Sequence, residues 1–292
     1  MFSFLRPYIF TLDPEAAHDL AIKSLKFNFM PKNFFHVEGE EMLSTELFKK
    51  KLKNPIGLAA GFDKSAEVYN SLFKLGFGFV EVGTITPKRQ FGNPKPRVFR
   101  LEKDKALINR LGFNNDGIEI VTERLKTNTP SEFLGINIGP NKDTKNKSLD
   151  FLECFNKLNK FASYITVNIS SPNTVGLRDF HEEKLLSNLL NKLLELKKKL
   201  KTTCPITLKI SPDIGEKEIT NINEMVQRFK IDGVILTNST NQNREDLLDI
   251  NKDEIGGLSG QPLKETSLKF IKSFYKSNKG KIPIIGVGGI DS

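Results

Sequence analysis

Cysteine is nearly missing from this chain: Cys154 and Cys204 are the two present among 292 residues. So few thiols, so far apart, make neither a disulfide framework nor a cysteine-rich metal or iron–sulfur site, and they suit a reducing cytoplasm. The three histidines, His18, His36 and His181, are scattered. No metal site is therefore expected, and no Ser-His-Asp arrangement that could make a serine an acyl-transfer nucleophile. Long apolar runs are lacking too. None approaches the roughly 20 residues that span a bilayer, and Arg6-Pro7 interrupts what could have been the core of a signal peptide. The chain is not expected to cross a membrane, which leaves open whether it touches one.

What is present is a globular composition with surplus positive charge, 44 Lys+Arg against 35 Asp+Glu, or +9. That surplus favours anionic ligands, an anionic membrane surface or nucleic acid without choosing among them. Much of it lies in runs such as Lys49-Lys50-Lys51 with Lys53, and Lys197-Lys198-Lys199 with Lys201, which read as solvated faces.

Residues 1–38 differ from the rest: Phe2, Phe4, Leu5, Ile9, Phe10, Leu12, Phe27, Phe29, Phe34 and Phe35 crowd a short stretch. Asp13-Pro14-Glu15 is a helix start, with Asp as cap, Pro at the first helical position and Glu favourable to the dipole. Ala17, Leu20, Ala21 and Leu25 then fall on one stripe. Two short amphipathic helices are expected, either a cap on the main domain or an interfacial anchor that admits an apolar ligand. Residues 39–292 open with a polar connector and a small hairpin expected near Glu46 to Lys53, and continue as alternating β and α units. The strand candidates are Ile56–Leu58, Phe79–Val82, Leu134–Ile138, Tyr164–Ile169, Ile206–Ile210, Val234–Thr237 and Ile282–Val287. Helices are expected over Ala66–Leu75, Leu149–Phe161, Glu182–Leu200, Glu216–Phe229 and Leu263–Ser277. Short apolar runs buried on both faces and separated by helices imply a (β/α)8 TIM barrel, here with an N-terminal two-helix extension. A closed barrel needs eight strands, so the chain is expected to be incomplete past Ser292 by at least one βα unit of about 30 residues.

Polar residues gather at the carboxyl ends of these strands, where barrel enzymes keep their chemistry. Tyr164-Ile165-Thr166-Val167 breaks into Asn168-Ile169-Ser170-Ser171-Pro172-Asn173, and proline stops the strand so that Ser171 is held at its end. On its own this stretch also reads as a turn that satisfies its own backbone. Ala59-Ala60-Gly61-Phe62-Asp63-Lys64, Gly83-Thr84, Asn109 to Asn115, Asn137, Lys209, Thr237-Asn238-Ser239, Gly256 to Gly260 and Gly286 to Gly289 fall into register with it. Carboxamides with one or two lysines suit a small, planar, anionic ligand with amide edges. Glycine turns beside the last strand suit a phosphate.

These motifs resemble the dihydroorotate dehydrogenase family, and Leu12-Asp13-Pro14-Glu15-Ala16-Ala17-His18 looks like its class 2, quinone-linked, membrane-associated branch. The resemblance implies an FMN enzyme that oxidises dihydroorotate to orotate in pyrimidine synthesis and passes electrons to a membrane quinone. It implies Ser171 as the base. Lys64, Asn109, Arg110, Leu111, Gly112, Phe113, Asn168, Asn173, Asn238 and Ser239 would hold substrate. Ala60, Gly61, Phe62, Asp63, Lys64, Thr84, Asn137, Asn168, Lys209, Thr237, Gly260 and Gly289 would hold FMN. Thr174 to His181, with Gly176 as hinge, would be a lid, and the phenylalanine-rich helices a quinone tunnel. A monomer is implied, peripheral on the cytoplasmic side of the cell membrane, with no nucleic acid and no iron–sulfur partner subunit. Two departures stand out: Ser239 replaces a Thr common in the family, and the family's last strand with its Tyr-containing turn is absent from this sequence; a protein that really ended at Ser292 is expected to retain FMN poorly and to fold unstably. The rival readings are a class 1 soluble dihydroorotate dehydrogenase, which has Cys as base, an RNA-modifying flavoprotein, and an inactive truncated barrel.

Overall fold

Each short apolar run becomes a stave of one parallel sheet. The computed structural model describes residues 2–27, 40–174 and 176–288. The staves are β1 (Gly57–Leu58), β2 (Phe79–Ile85), β3 (Phe133–Ile138), β4 (Tyr164–Asn168), β5 (Ile206–Ile210), β6 (Gly233–Leu236) and β7 (Ile284–Gly286). They pair in sequence order and all run parallel. Helices between them cover the outer face, so the architecture is the expected α/β barrel. The eighth stave has no counterpart among the described residues, and Gly289 lies outside them.

The core explains the order. Every residue of β2, β3, β4, β5 and β6 is buried, and each Ile, Val or Leu there contributes about 1.5–3 kcal/mol by leaving water. The outward side chains meet the helices, for instance Leu186, Leu189, Leu190 and Leu193 on the helix Glu183–Lys199, which recur at helical spacing. Inside the barrel, Leu52, Phe79, Phe133, Tyr164 and Ile235 plug the end from which the strands start, with Leu47 and Phe48 packed below. The latter two belong to the expected hairpin, Thr45–Leu47 paired with Lys50–Leu52. Its turn residues Phe48 and Lys49 both have positive φ, 49° and 62°, as a two-residue turn matched to strand twist requires.

Three differences from the sequence expectations have identifiable causes. The helix expected over Ala66–Leu75 spans only Tyr69–Lys74 (α3), because Ala66 takes a left-handed φ of 53° and the Asp63 carboxylate receives the Glu67 and Val68 N–H groups, each at 2.8 Å. A three-stranded antiparallel sheet, Val98–Leu101, Ala106–Asn109 and Gly257–Gly260, was not expected. It joins the excursion after β2 to the excursion after β6, a pairing that no local signal carries.

The N-terminal segment forms α1 (Phe2–Phe10) and α2 (Pro14–Lys26), capped by the Asp13 carboxylate on the Glu15 and Ala16 N–H groups at 2.9 and 3.0 Å. Its inward face is the third difference: Ile22 is buried whereas Leu20, expected on the inward stripe, is exposed. The reason is that α2 docks through a polar clamp as well as an apolar stripe. Arg97 Nε reaches both Glu15 oxygens at 3.1 and 3.2 Å, and Arg100 donates to the Leu12 carbonyl at 2.7 Å. Residues 28–39, including Phe29, Phe34 and Phe35, lie outside the described part.

Candidate active site

Above the apolar plug the barrel interior turns polar. Glu81, Asn137, Thr166, Asn168 and Lys209 are buried side chains from β2 to β5 that face one another, because register sets Asn137 beside Thr166 and Asn168 beside Lys209. Asn137 Nδ2 donates to Glu81 at 2.9 Å, Thr166 Oγ1 to the other Glu81 oxygen at 2.7 Å, and Thr84 Oγ1 to Asn137 Oδ1 at 2.7 Å. Lys209 has no hydrogen-bond acceptor among the described residues. Burial pushes its ammonium below the ordinary lysine value, and the Glu81 charge opposes that.

Over this layer lies a cavity of about 480 Å³, adjoined by a second of about 280 Å³ that shares Ala60, Asn109, Lys209, Asn238, Ser239 and Ser259 with it. The larger is lined by Ala60, Gly61, Lys64, Thr84, Asn109, Leu111, Gly112, Phe113, Asn168, Ser171, Asn173, Lys209, Asn238 and Ser239, so most of the expected site residues share one space. Thr237 and Gly260 line the smaller. Gly260 must be glycine: φ is 100°, and a Cβ there would sit 2.5 Å from the Lys105 carbonyl.

Four expected residues face elsewhere. Arg110 sends its guanidinium outward to Glu254 at 2.6 Å and to the Ile255 and Pro96 carbonyls, because it pins the antiparallel sheet. Asp63 is spent on capping the turn before α3, and Phe62 packs edge-on against His18. Asn137 lies one layer below and touches the cavity wall through Thr84 and Asn168.

The serine loop is tied down on every side. Ser171 Oγ, nearly buried, accepts the Asn173 N–H at 3.2 Å, and Asn173 Nδ2 donates to the Asn109 carbonyl at 3.1 Å. Asn238 Nδ2 donates to Ser170 Oγ at 2.9 Å. Arg178, inside the expected lid, pairs with Asp213 at 2.9 Å and donates to the Ser170 and Ser239 carbonyls at 3.3 and 3.4 Å. Gly176 has a φ of 69°, a left-handed value that favours glycine. Val175 is outside the described residues.

Sequence reasoning missed part of the wall. Pro14, Glu15 and His18 of α2, with Val98, Arg100 and Leu107 of the antiparallel sheet, close the large cavity on its N-terminal side. Lys64 Nζ lies 3.4 Å from His18 Nε2. Burial drives the His18 imidazole down to about 4, with the Lys64 charge pushing the same way, and burial lowers Lys64 itself. Among the described residues no cluster of His, Cys, Asp or Glu could hold a metal ion, and no helix is long and apolar enough to cross a membrane.

Comparison with known proteins gives a consistent result. The family profile described as dihydroorotate dehydrogenase matches residues 42–292. A dihydroorotate dehydrogenase (quinone) of Christiangramia forsetii is 46% identical over 297 residues, covering 99% of this chain and 86% of that protein. One of Idiomarina loihiensis is 42% identical over 299 residues, covering 100% and 89%. The crystal structure of DHODH from Eimeria tenella in complex with ferulenol matches with a TM-score of 0.90 at 40% identity, over 96% of this chain and 81% of that one.

Proposed function

The chain belongs to the dihydroorotate dehydrogenase family, and from that premise we propose how its residues divide the work. The reaction is the oxidation of dihydroorotate to orotate, in pyrimidine biosynthesis, with a quinone as electron acceptor.

The observation that carries the assignment is the convergence of Ser171, Lys64, Lys209 and five asparagines, Asn109, Asn114, Asn168, Asn173 and Asn238, on one cavity. The residues fit a flavin, which we take to be FMN. Lys209 presents a buried ammonium without a hydrogen-bond acceptor among the described residues, and a Cβ built on Gly61 would meet nothing within 4 Å, so backbone there is open to a flat ring. The adjoining space, between Thr237, Gly260 and Gly288, suits a phosphate held by backbone N–H groups. When bound, FMN supplies the acceptor for the hydride that leaves C6 of the substrate.

The chain's own residues do the rest. Lys64 binds the substrate carboxylate, and Asn109, Asn173 and Asn238 bind its amide edges. Ser171 removes the C5 proton. A serine hydroxyl is a poor base, so its task depends on the Asn173 N–H fixing the oxygen and on the Arg178 clasp keeping the loop shut and dry. Lys209 would hold the flavin, and its ammonium would favour the negative charge of the reduced form.

Residues 1–38 form the quinone-access extension and 39–292 the barrel. Support comes from α2, which walls the cavity through Pro14 and His18, and from Tyr8, Leu12 and Leu20, whose apolar side chains are exposed as a membrane-facing surface requires. We take the protein to be a peripheral monomer on the cytoplasmic side of the cell membrane. Anaerobic addition of dihydroorotate to the flavin-loaded protein tests the reading. The flavin band bleaches and a quinone restores it; a band that stays unbleached refutes the assignment.

A further inference from the structure

One buried carboxylate has no task in the assignment above. Glu81 sits in β2 between apolar neighbours, 3% exposed, below the cavity it does not line. Both its oxygens receive donors, from Asn137 and Thr166. Glu81 thus acts as acceptor at both oxygens, and Asn137 turns its Nδ2 toward Glu81 and its Oδ1 away. That oxygen then accepts from Asn168 Nδ2 at 3.1 Å. Asn168 Oδ1 in turn accepts from Ser170 Oγ at 2.9 Å and from the Ser170 N–H at 3.2 Å. Ser170 Oγ accepts from Asn238 Nδ2 at 2.9 Å. Every donor in this row points back toward Glu81.

We propose that Glu81 is a positioning residue: it sets which way round the Asn137 carboxamide faces, and so gives Asn168 the acceptor that holds its Nδ2 inward and its oxygen toward the serine loop, where the substrate's amide edge binds. The inference rests on the dihydroorotate reading of the cavity. A carboxamide is nearly symmetric in shape, so packing alone does not choose between its two orientations. Solvent does not choose either, since Asn137 and Ser170 are fully buried and Asn168 is 3% exposed. At Asn137 the choice falls to Glu81, which accepts at both oxygens; further along, the Ser170 and Ser239 N–H groups, which can only donate, hold the Asn168 and Asn238 oxygens in the same sense at 3.2 and 2.8 Å. Asn168 is thereby recast. Both its Nδ2 hydrogens go to Thr84 and Asn137 and its oxygen to Ser170, so it transmits orientation from the barrel interior to the serine loop.

The row can be broken and mended at one link. Asn137→Asp places two acceptors face to face. Adding Glu81→Gln restores a donor at position 81, while either carboxylate oxygen of the new residue 137 still accepts from Thr84 and Asn168. Orotate affinity is measured by calorimetry on the flavin-loaded proteins. Expected are an N137D protein that binds orotate about tenfold or more weakly, by the cost of unpaired buried groups, and an E81Q/N137D protein within about threefold of the wild type. An N137D protein that binds like the wild type, or a double variant no better than N137D, would overturn the proposal. If the position 137 variants do not fold, Ser170→Ala cuts the row between Asn168 and Asn238. Orotate affinity falls about threefold or more with the flavin band unchanged, and an unaltered affinity overturns the inference. A wild-type protein that binds no orotate would instead refute the functional reading.

Discussion

Glu15 offers the sharpest test of how α2 serves the cavity. Its carboxylate faces Arg97, whose side chain is 6% exposed and whose Nη1 also donates to the Phe91 and Asn93 carbonyls at 2.6 and 2.8 Å. Burial pushes the Glu15 carboxyl up, but the Arg97 hydrogen bonds and charge outweigh it, so the group ends below its ordinary value. Removing one partner of a buried pair costs about 3–5 kcal/mol because the other charge stays behind. Glu15→Gln keeps one accepting oxygen, worth about 1 kcal/mol, which leaves a net loss of about 2–4 kcal/mol. That shifts the docking equilibrium of α2 by a factor of roughly 30 to several hundred. The ledge that carries Pro14 and His18 then loosens while Ser171, Lys64 and Lys209 stay on barrel strands and their loops. Two half-reactions separate the consequences. Flavin reduction by dihydroorotate, followed by stopped-flow absorbance, changes less than about threefold, whereas turnover with a quinone falls about tenfold or more. If both fall together, or neither does, α2 is not a separable wall of the quinone route and the reasoning fails.

Three further perturbations follow from the geometry. Ser171→Ala lowers kcat by about 10²–10⁴ with orotate affinity nearly unchanged, since the hydroxyl acts on the proton and not on binding; a loss in affinity alone contradicts it. Arg178→Met removes the tie to Asp213 and two carbonyls, so the Michaelis constant for dihydroorotate rises and protease nicking around 174–181 speeds up, and equal nicking rates count against a clasp. His18 titrates near 4 folded against 6.5 unfolded. Its burial penalty therefore appears as pH falls from 6.5 toward 4, the unfolded state taking the proton first. After allowance for its partial exposure this is about 1–2 kcal/mol, and His18→Gln should flatten the pH dependence of urea unfolding across that window.

The strands, the glycines and the serine loop were legible because each has a local signature: a short β-branched run, a positive-φ turn, a proline that ends a strand. Ser171 and Lys64 could be placed on one rim from strand order alone. Arg110 could not, since its outward turn depends on Glu254, far along the chain. The same holds for the antiparallel sheet, whose Asn109 and Gly257 edges meet only after folding, and for α2, where the clamp on Arg97 outranks the apolar stripe that pointed Leu20 inward. Glu81 left a trace that went unread. A carboxylate in the middle of Phe79-Val80-Glu81-Val82 has no reason to be in an apolar stave unless partners await it across the barrel.

The seam between Ala106–Asn109 and Gly257–Gly260 constrains how this mouth can vary. It buttons two long excursions edge to edge, and Gly257 lies so near Ser239 that a side chain there would strike its hydroxyl at 2.1 Å. Neither excursion can be lengthened, shortened or slid by one residue without the other following. A designer who wants to widen the entrance must therefore recut both flaps as a matched pair, and random changes confined to one should yield misbuttoned, not broader, proteins.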